Sequence, residues 1–153
     1  MPALARLRIY LPNPSRHSEM RYLLDTNILI AAMKGSAIVR ARLELTPVNQ
    51  ILLSPIVLGE LELGVEKSLH RSRNAACLAS LIEAFELVPL SGDVSREYAL
   101  IRAGLEKQGT PIGANDCWIA AQGVTLGATV VTDNQREFSR VPHLVIENWL
   151  DAG

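Results

Sequence analysis

The sequence predicts one α/β domain of three layers, in which helices cover both faces of a mostly parallel sheet. Short apolar runs alternate with longer segments of helical character along the 153 residues. Such runs, separated by helices, are typical of parallel strands that are buried on both faces. A chain of this length forms one domain and buries a substantial core without disulfides.

The first half of the chain predicts two strands and three helices. The strands are 22–24 and 51–53, and the helices are 28–33, 38–45 and 55–69. Lys34, Gly35 and Ser36 separate the first two helices. Ser54 and Pro55 mark the start of the third, because serine is a favoured N-cap and proline is tolerated at the first helical position.

The second half continues the alternation. A helix that ends near 85 is followed by a strand at 87–90, helices at 94–107 and 115–126, and strands at 129–131 and 144–146. Gly127 closes the last helix, since glycine is the common residue just after a helix end. In open parallel sheets, functional groups gather at the carboxyl ends of the strands.

Residues 1–19 differ from the rest and are predicted to be a flexible N-terminal extension, with the folded domain at 20–150. They contain three of the eight prolines and show little periodicity. Terminal segments of this kind are commonly weakly ordered.

The overall composition excludes several classes of protein. A net charge of −1 provides no general attraction for nucleic acid, so a polyanion would have to be held locally or through a metal. Cys77 and Cys117 have no ligand spacing and are interpreted as reduced thiols of a cytoplasmic protein. No apolar run approaches the ~20 residues that a membrane span requires.

Four acids are the candidate functional residues: Asp25, Glu60, Asp116 and Asp133. Asp25 directly follows the strand at 22–24, and Asp133 lies two residues after the strand at 129–131. Since parallel strands end at the same edge of a sheet, both side chains are expected to face one crevice.

Glu60 and Asp116 lie on helices at positions where apolar residues are expected. The helical neighbours of Glu60 are Ile56, Val57, Leu63 and Gly64, which suggest a core-facing stripe. A carboxylate on such a stripe is costly unless it is paired or bound to metal.

Asp116 has Ile119, Ala120 and Gly123 as its helical neighbours, and it falls in the first turn of its helix. The helix dipole favours a negative charge there.

Carboxylates without histidine or cysteine partners select hard cations, which predicts Mg²⁺ or Mn²⁺. Asp25 and Asp116 are assigned as direct ligands, and Glu60 and Asp133 as acids that orient water or a second ion. Such an ion lowers the pKa of a bound water and stabilises charge on a phosphoryl oxygen. The site therefore predicts metal-dependent phosphodiester hydrolysis.

Four motifs resemble those of the PIN-domain nucleases. They are LDTNIL at 24–29, ELELG at 60–64, GANDCWIAA at 113–121 and VTDN at 131–134. The ending, with REFSRVP at 136–142 and ENW at 147–149, is similar to that of the VapC toxins of bacterial toxin–antitoxin pairs. The resemblance covers about 20–150.

This resemblance implies a metal-dependent endoribonuclease whose acids are Asp25, Glu60, Asp116 and Asp133, with Asn27 and Thr132 beside them. It implies tRNA or another structured RNA as substrate, a small VapB-like antitoxin whose C-terminal segment occupies the cleft, and a homodimer.

Two points stay open in the sequence. Many relatives have asparagine where Asp133 stands and an acid where Glu137 stands, so either residue could be the fourth acid; the strand-set position favours Asp133. The alternatives to a toxin are a PIN nuclease for RNA processing, a non-catalytic PIN-fold binding module, and a phosphatase of another aspartate-based fold.

Overall fold

A six-stranded sheet forms the centre of the protein, in the strand order β1-β4-β3-β2-β5-β6. The computed structural model describes residues 8–9 and 20–151. The strands are β1 (Arg8–Ile9), β2 (Tyr22–Leu24), β3 (Ile51–Leu53), β4 (Glu86–Leu87), β5 (Thr129–Val131) and β6 (Val145–Glu147). The helices are α1 (Thr26–Met33), α2 (Ala37–Leu45), α3 (Pro55–Lys67), α4 (Arg71–Ile82), α5 (Gly92–Lys107), α6 (Ala114–Leu126) and α7 (Gln135–Phe138), with a 3₁₀ turn at Val48–Gln50.

Every strand pair in the sheet is parallel, which confirms the predicted three-layer α/β sandwich. The register pairs Leu24 of β2 with Val131 of β5. Both residues are fully buried, as is most of the sheet's apolar surface. This register places the ends of β2 and β5 side by side, immediately before Asp25 and Thr132.

Two predicted boundaries are wrong around β4. The preceding helix ends at Ile82, and β4 is Glu86–Leu87 instead of extending to 90. Proline has no N–H to donate to a strand ladder, so Pro89 ends the strand. The carbonyl oxygens of Val88 and Pro89 instead accept hydrogen bonds from the buried side-chain amide of Gln122, at 3.1 and 3.4 Å.

Besides the 3₁₀ turn, two elements were not predicted. α7 has only four residues, too few for a helical pattern to show in the sequence. β1 lies within the predicted N-terminal extension and pairs with β4, with Arg8 opposite Glu86. The rest of that extension lies outside the described residues, so the division of the chain at residue 20 stays a prediction.

α6 lies unusually close to the sheet at Gly123. A Cβ atom at this position would come within 2.6 Å of Val130 Cγ2 and 2.9 Å of Leu144 Cδ1. Real Cβ atoms do not approach other heavy atoms so closely, so a larger residue would push the helix away from β5. Glycine therefore allows α6, which carries Asp116, to pack directly against the strand that leads to Thr132.

Candidate active site

Asp25 is held at the end of β2 by contacts to its backbone and to both of its carboxylate oxygens. Its N–H donates to Val131 O at 2.8 Å, which extends the β2–β5 ladder by one bond. Oδ1 accepts from the N–H of Thr26 at 2.8 Å, so that Asp25 is the N-cap of α1. Oδ2 accepts from the hydroxyl of Thr132 at 2.8 Å. The side chain is only 6% exposed, and these bonds fix its orientation.

Burial raises the pKa of Asp25 above its ordinary value, and the nearby charge of Asp133 adds to the rise. The hydrogen bonds from Thr132 and Thr26 oppose the rise because they stabilise the charged form.

Glu60 projects from α3 toward Asp25 from the margin of the helix, and not from its buried stripe. The buried residues of α3 are Val57, Leu58, Leu61 and Val65. Glu60 is half-buried, whereas Leu63, one turn later, is 57% exposed, so the predicted core-facing stripe is wrong. Burial raises the pKa of Glu60, and the charge of Asp25 raises it further, while Thr26 and Asn115 oppose the rise.

Asp116 forms a pair with Glu137 near the start of α6. The two carboxyl groups are close enough for the charge of Glu137 to raise the pKa of Asp116. The side-chain amide of Asn134 donates to Glu137 Oε2 at 2.9 Å and lies 3.5 Å from Asp116 Oδ2. One amide therefore contacts both members of the pair.

The pKa of Asp116 is raised to about 7. Burial is the largest cause, followed by the hydrogen bond with Glu137 and by the charges of Asp25, Glu137 and Glu60. A carboxyl group that is surrounded by other carboxylates retains its proton to higher pH because like charges disfavour ionisation.

Asp133 lies at the rim of the site. It is exposed, and its Oδ1 accepts a hydrogen bond of 3.2 Å from the amide of Asn27, which is also exposed. Thr132 is fully buried between Asp25 and β6, and its N–H donates to Glu147 O at 2.9 Å.

The fold thus brings the charges of Asp25, Glu60, Asp116 and Glu137 into interaction, and it places Asp133 and Asn27 beside them. Sequence reasoning did not identify Asn134 and Asn115 as functional residues. A signal was present for Asn134: it lies three residues before Glu137, a spacing at which helical side chains meet.

The donor chemistry of the site fits a hard cation. All its charged groups are carboxylates, which Mg²⁺ and Mn²⁺ prefer. Among the described residues, no three acidic, histidine or cysteine side chains are spaced to enclose an ion in the conformation seen here. The residues fit a cation by the chemistry of their side chains and by the mutual effect of their charges.

An apolar groove opens beside Glu60, between α1, α3 and α4. Its volume is about 280 Å³, and its walls include Ile30, Met33, Leu61 and Val65. Lys34 lies on the same groove and adds a positive charge to it.

Residues 22–144 match the PIN domain family. The chain is 39% identical to ribonuclease VapC2 of Rickettsia felis over 132 residues, which are 85% of this chain and 98% of that protein. This chain belongs to the PIN-domain family and, within it, to the VapC ribonuclease toxins. The PIN/VapC nucleases are generally metal-dependent.

One further relative and one solved structure agree with this assignment. The chain is 37% identical to the tRNA(fMet)-specific endonuclease VapC of Salmonella typhimurium over 131 residues, which are 85% of this chain and 98% of that protein. The crystal structure of VapBC2 from Rickettsia felis, bound to a DNA fragment from its promoter, superposes with a TM-score of 0.81 at 39% identity. That match covers 85% of this chain and 99% of the other.

The family assignment confirms the predicted fold, the nuclease class and the place in a toxin–antitoxin family. Within the described part of the chain, no helix has the length and apolar character needed to cross a membrane.

Proposed function

We propose that this VapC chain is an endoribonuclease in which Asp25 and Asp116 hold a Mg²⁺ or Mn²⁺ ion, with Glu60 and a fourth acid beside them. The observation that carries the proposal is the mutual interaction of the carboxylates where β2 and β5 end. When bound, the ion supplies an activated water and stabilises charge on the scissile phosphate.

The protein's own side chains prepare this site in two ways. Thr26 N and Thr132 Oγ1 orient the carboxylate of Asp25, so that its remaining electron pairs face the cleft. The raised pKa of Asp116 favours its neutral form, which reduces the repulsion among the acids, and binding of the ion would require the Asp116 carboxylate to lose that proton.

We assign the fourth acid to Glu137 and not to Asp133, which the sequence favoured. Glu137 is half-buried and accepts a hydrogen bond from the Asn134 amide, which lies 3.5 Å from Asp116 Oδ2, whereas Asp133 is exposed and bonded to Asn27. Asp133 and Asn27 lie at the rim, where they can orient substrate or water.

Structured RNA is the proposed substrate class, and tRNA is the first candidate. The support is the likeness to a relative named as a tRNA(fMet)-specific endonuclease. The decisive experiment incubates the purified protein and Asp25→Asn with initiator tRNA, elongator tRNAs and total RNA, in the presence of Mg²⁺, Mn²⁺ or chelator.

We expect the native protein to cleave RNA in Mg²⁺ or Mn²⁺ but not in chelator, and we expect Asp25→Asn not to cleave it. Equal cleavage in chelator, or by Asp25→Asn, would show that a contaminating nuclease or another site is responsible. Cleavage of total RNA without cleavage of any tRNA would support the nuclease activity but exclude tRNA as the substrate.

The proposed partners are a small VapB-like antitoxin and a second copy of this chain. The apolar groove beside Glu60 supports the first, because an extended segment bound there would reach the acids. Expression of this chain alone should inhibit growth, and co-expression with a small VapB-like antitoxin should relieve that inhibition. Light scattering at micromolar concentration should give the mass of a dimer, and a monomer mass would contradict it.

A further inference from the structure

We propose that Asn134 is a positioning residue that assembles the metal site, because its side chain holds Asp116 and Glu137 together and its backbone fixes the support of Asp25. This inference rests on the proposed role of these acids as an ion site.

The side chain of Asn134 does not cap the helix that it precedes. Asn134 is the N-cap residue of α7, where asparagine ordinarily accepts a hydrogen bond from the helix. Here the side chain makes no capping bond. Its Nδ2 instead donates to Glu137 Oε2 at 2.9 Å and lies 3.5 Å from Asp116 Oδ2.

The backbone of the same residue reaches the opposite half of the site. The N–H of Asn134 donates to Thr132 Oγ1 at 2.9 Å. Because that oxygen accepts this bond, its own hydrogen is directed to Asp25 Oδ2, at 2.8 Å. Asn134 therefore contacts Asp116 and Glu137 directly and Asp25 through Thr132.

A neutral amide suits this position for a chemical reason. The NH₂ group carries two hydrogens and can serve two carboxylates at once. It adds no charge, so it draws the acids together without competing with a cation for them. Aspartate here would repel both acids, and lysine would occupy the place of the ion.

The test measures Mn²⁺ binding to the full-length protein without RNA, by calorimetry or by electron paramagnetic resonance. Asn134→Ala removes both hydrogens, and Asn134→Ser retains a single shorter donor. Asn148→Ala is the matched control, since Asn148 Oδ1 accepts a local hydrogen bond of 2.9 Å from Leu150 N. Melting temperature and circular dichroism establish that each variant is folded.

Asn134→Ala is expected to bind Mn²⁺ about 10–100-fold more weakly, as is usual when a residue that orients metal ligands is lost. The Mn²⁺ affinity of Asn134→Ser should lie between those of Asn134→Ala and the native protein, and the affinity of Asn148→Ala should equal that of the native protein. Excess Mn²⁺ should restore much of the RNA cleavage of Asn134→Ala, because the ligands themselves are intact.

Native Mn²⁺ affinity in a folded Asn134→Ala would overturn the proposal; if that variant does not fold, native affinity in Asn134→Ser would do so. An equal loss in Asn148→Ala would also overturn it, because the effect would then be one of general stability. If the native protein binds Mn²⁺ but cleaves no RNA, the nuclease function is refuted. The comparison of Mn²⁺ affinity between the native protein and the Asn134 variants still tests the role of Asn134. A native protein that binds no Mn²⁺ would refute both.

Discussion

Asp25 and Asp116 belong to the same candidate site, yet the protein holds the two carboxylates in different ways. Asp25 follows a central strand, and each of its oxygens accepts a hydrogen bond from a threonine. Asp116 projects from a helix, feels the charge of Glu137 and has an asparagine amide beside it. The strand-borne acid is set by the backbone, whereas the helix-borne acid depends on neighbouring side chains. The two halves should therefore respond differently to substitution.

The largest effect is expected from Asp25→Asn and Asp116→Asn, each of which should abolish detectable RNA cleavage. Both amides keep the shape of the side chain but lose the charge that binds the ion. The variants should differ in stability: Asp116→Asn should melt higher than native, because it removes a charge from a repulsive group. Asp25→Asn should melt near native, because it also loses an acceptor for one of two threonines. Thermal melts in chelator test the difference, and equal shifts would contradict it.

The second comparison separates Glu137 from Asp133. Glu137→Gln should reduce cleavage at limiting Mn²⁺ by about 10–100-fold, the usual range for residues that support metal ligands. Asp133→Asn should reduce it less, because Asp133 is exposed and bonded to Asn27. Metal titrations of both variants under one set of conditions provide the measurement. A stronger loss in Asp133→Asn would return the fourth position to Asp133.

Gly123→Ala tests how α6 positions Asp116. The added Cβ would overlap with Val130 and Leu144, so a loss of roughly 1–3 kcal/mol in unfolding free energy is expected, as for other overpacked cores. Gly104→Ala in α5 is the control. A Cβ atom at this position meets no other atom within 4 Å. The unfolding free energy should therefore rise by about 0.5–1 kcal/mol, the usual benefit of alanine over glycine in a helix. Denaturant unfolding measures both, and a stable Gly123→Ala would show that α6 has room to move.

The raised pKa of Asp116, the acid on α6, should make the stability of the protein depend on pH. The pKa of Asp116 is raised from 3.8 to about 7 in the folded protein, so between these values the folded state binds more protons than the unfolded state. The stabilisation that the folded protein gains from protonated Asp116 is therefore fully present below about pH 4 and is lost as the pH rises through about 7. In chelator, Asp116→Asn should exceed native in melting temperature by more at pH 8 than at pH 5. A constant difference would contradict the raised pKa.

The smallest effect is expected from deletion of residues 1–19, which leaves both halves of the site intact. The deletion removes β1, whose two residues pair with β4 at the edge of the sheet, far in strand order from β5. A change in melting temperature below about 3 °C is expected, which corresponds to roughly 1 kcal/mol for a domain of this size. RNA cleavage should be unchanged, and a loss of several degrees would show that the extension packs on the core.

The position of Asp25 was predictable because it directly follows an apolar strand at the carboxyl edge of a parallel sheet, whereas Thr132 beside it was expected only from the family resemblance. The apolar run at 22–24 places Asp25, and parallel pairing with 129–131 places Thr132 beside it. The position of Asp116 in the first turn of its helix was also evident from the pattern at 114–126.

The pairing of Asp116 with Glu137 could not be predicted in the same way. It depends on how the chain turns from β5 into a helix of four residues, where the Asn134 amide contacts Glu137. The position of Glu60 was misjudged for a related reason: the spacing of apolar residues around α3 does not tell which of them meets a neighbouring helix. Leu63, apolar but mostly exposed, is the clearest case.

The placement of Asp25 beside Thr132 has a consequence for synthesis of the protein. The two residues are separated by 107 positions, and the carbonyl that holds Thr132 belongs to Glu147, still later in the chain. A ribosome produces the chain from its N-terminus, at ~5–20 residues per second. A partly made chain carries Asp25, Thr26 and Glu60 but lacks Thr132, the second residue that orients Asp25. The acid site therefore assembles only when translation of the toxin's own message is almost finished.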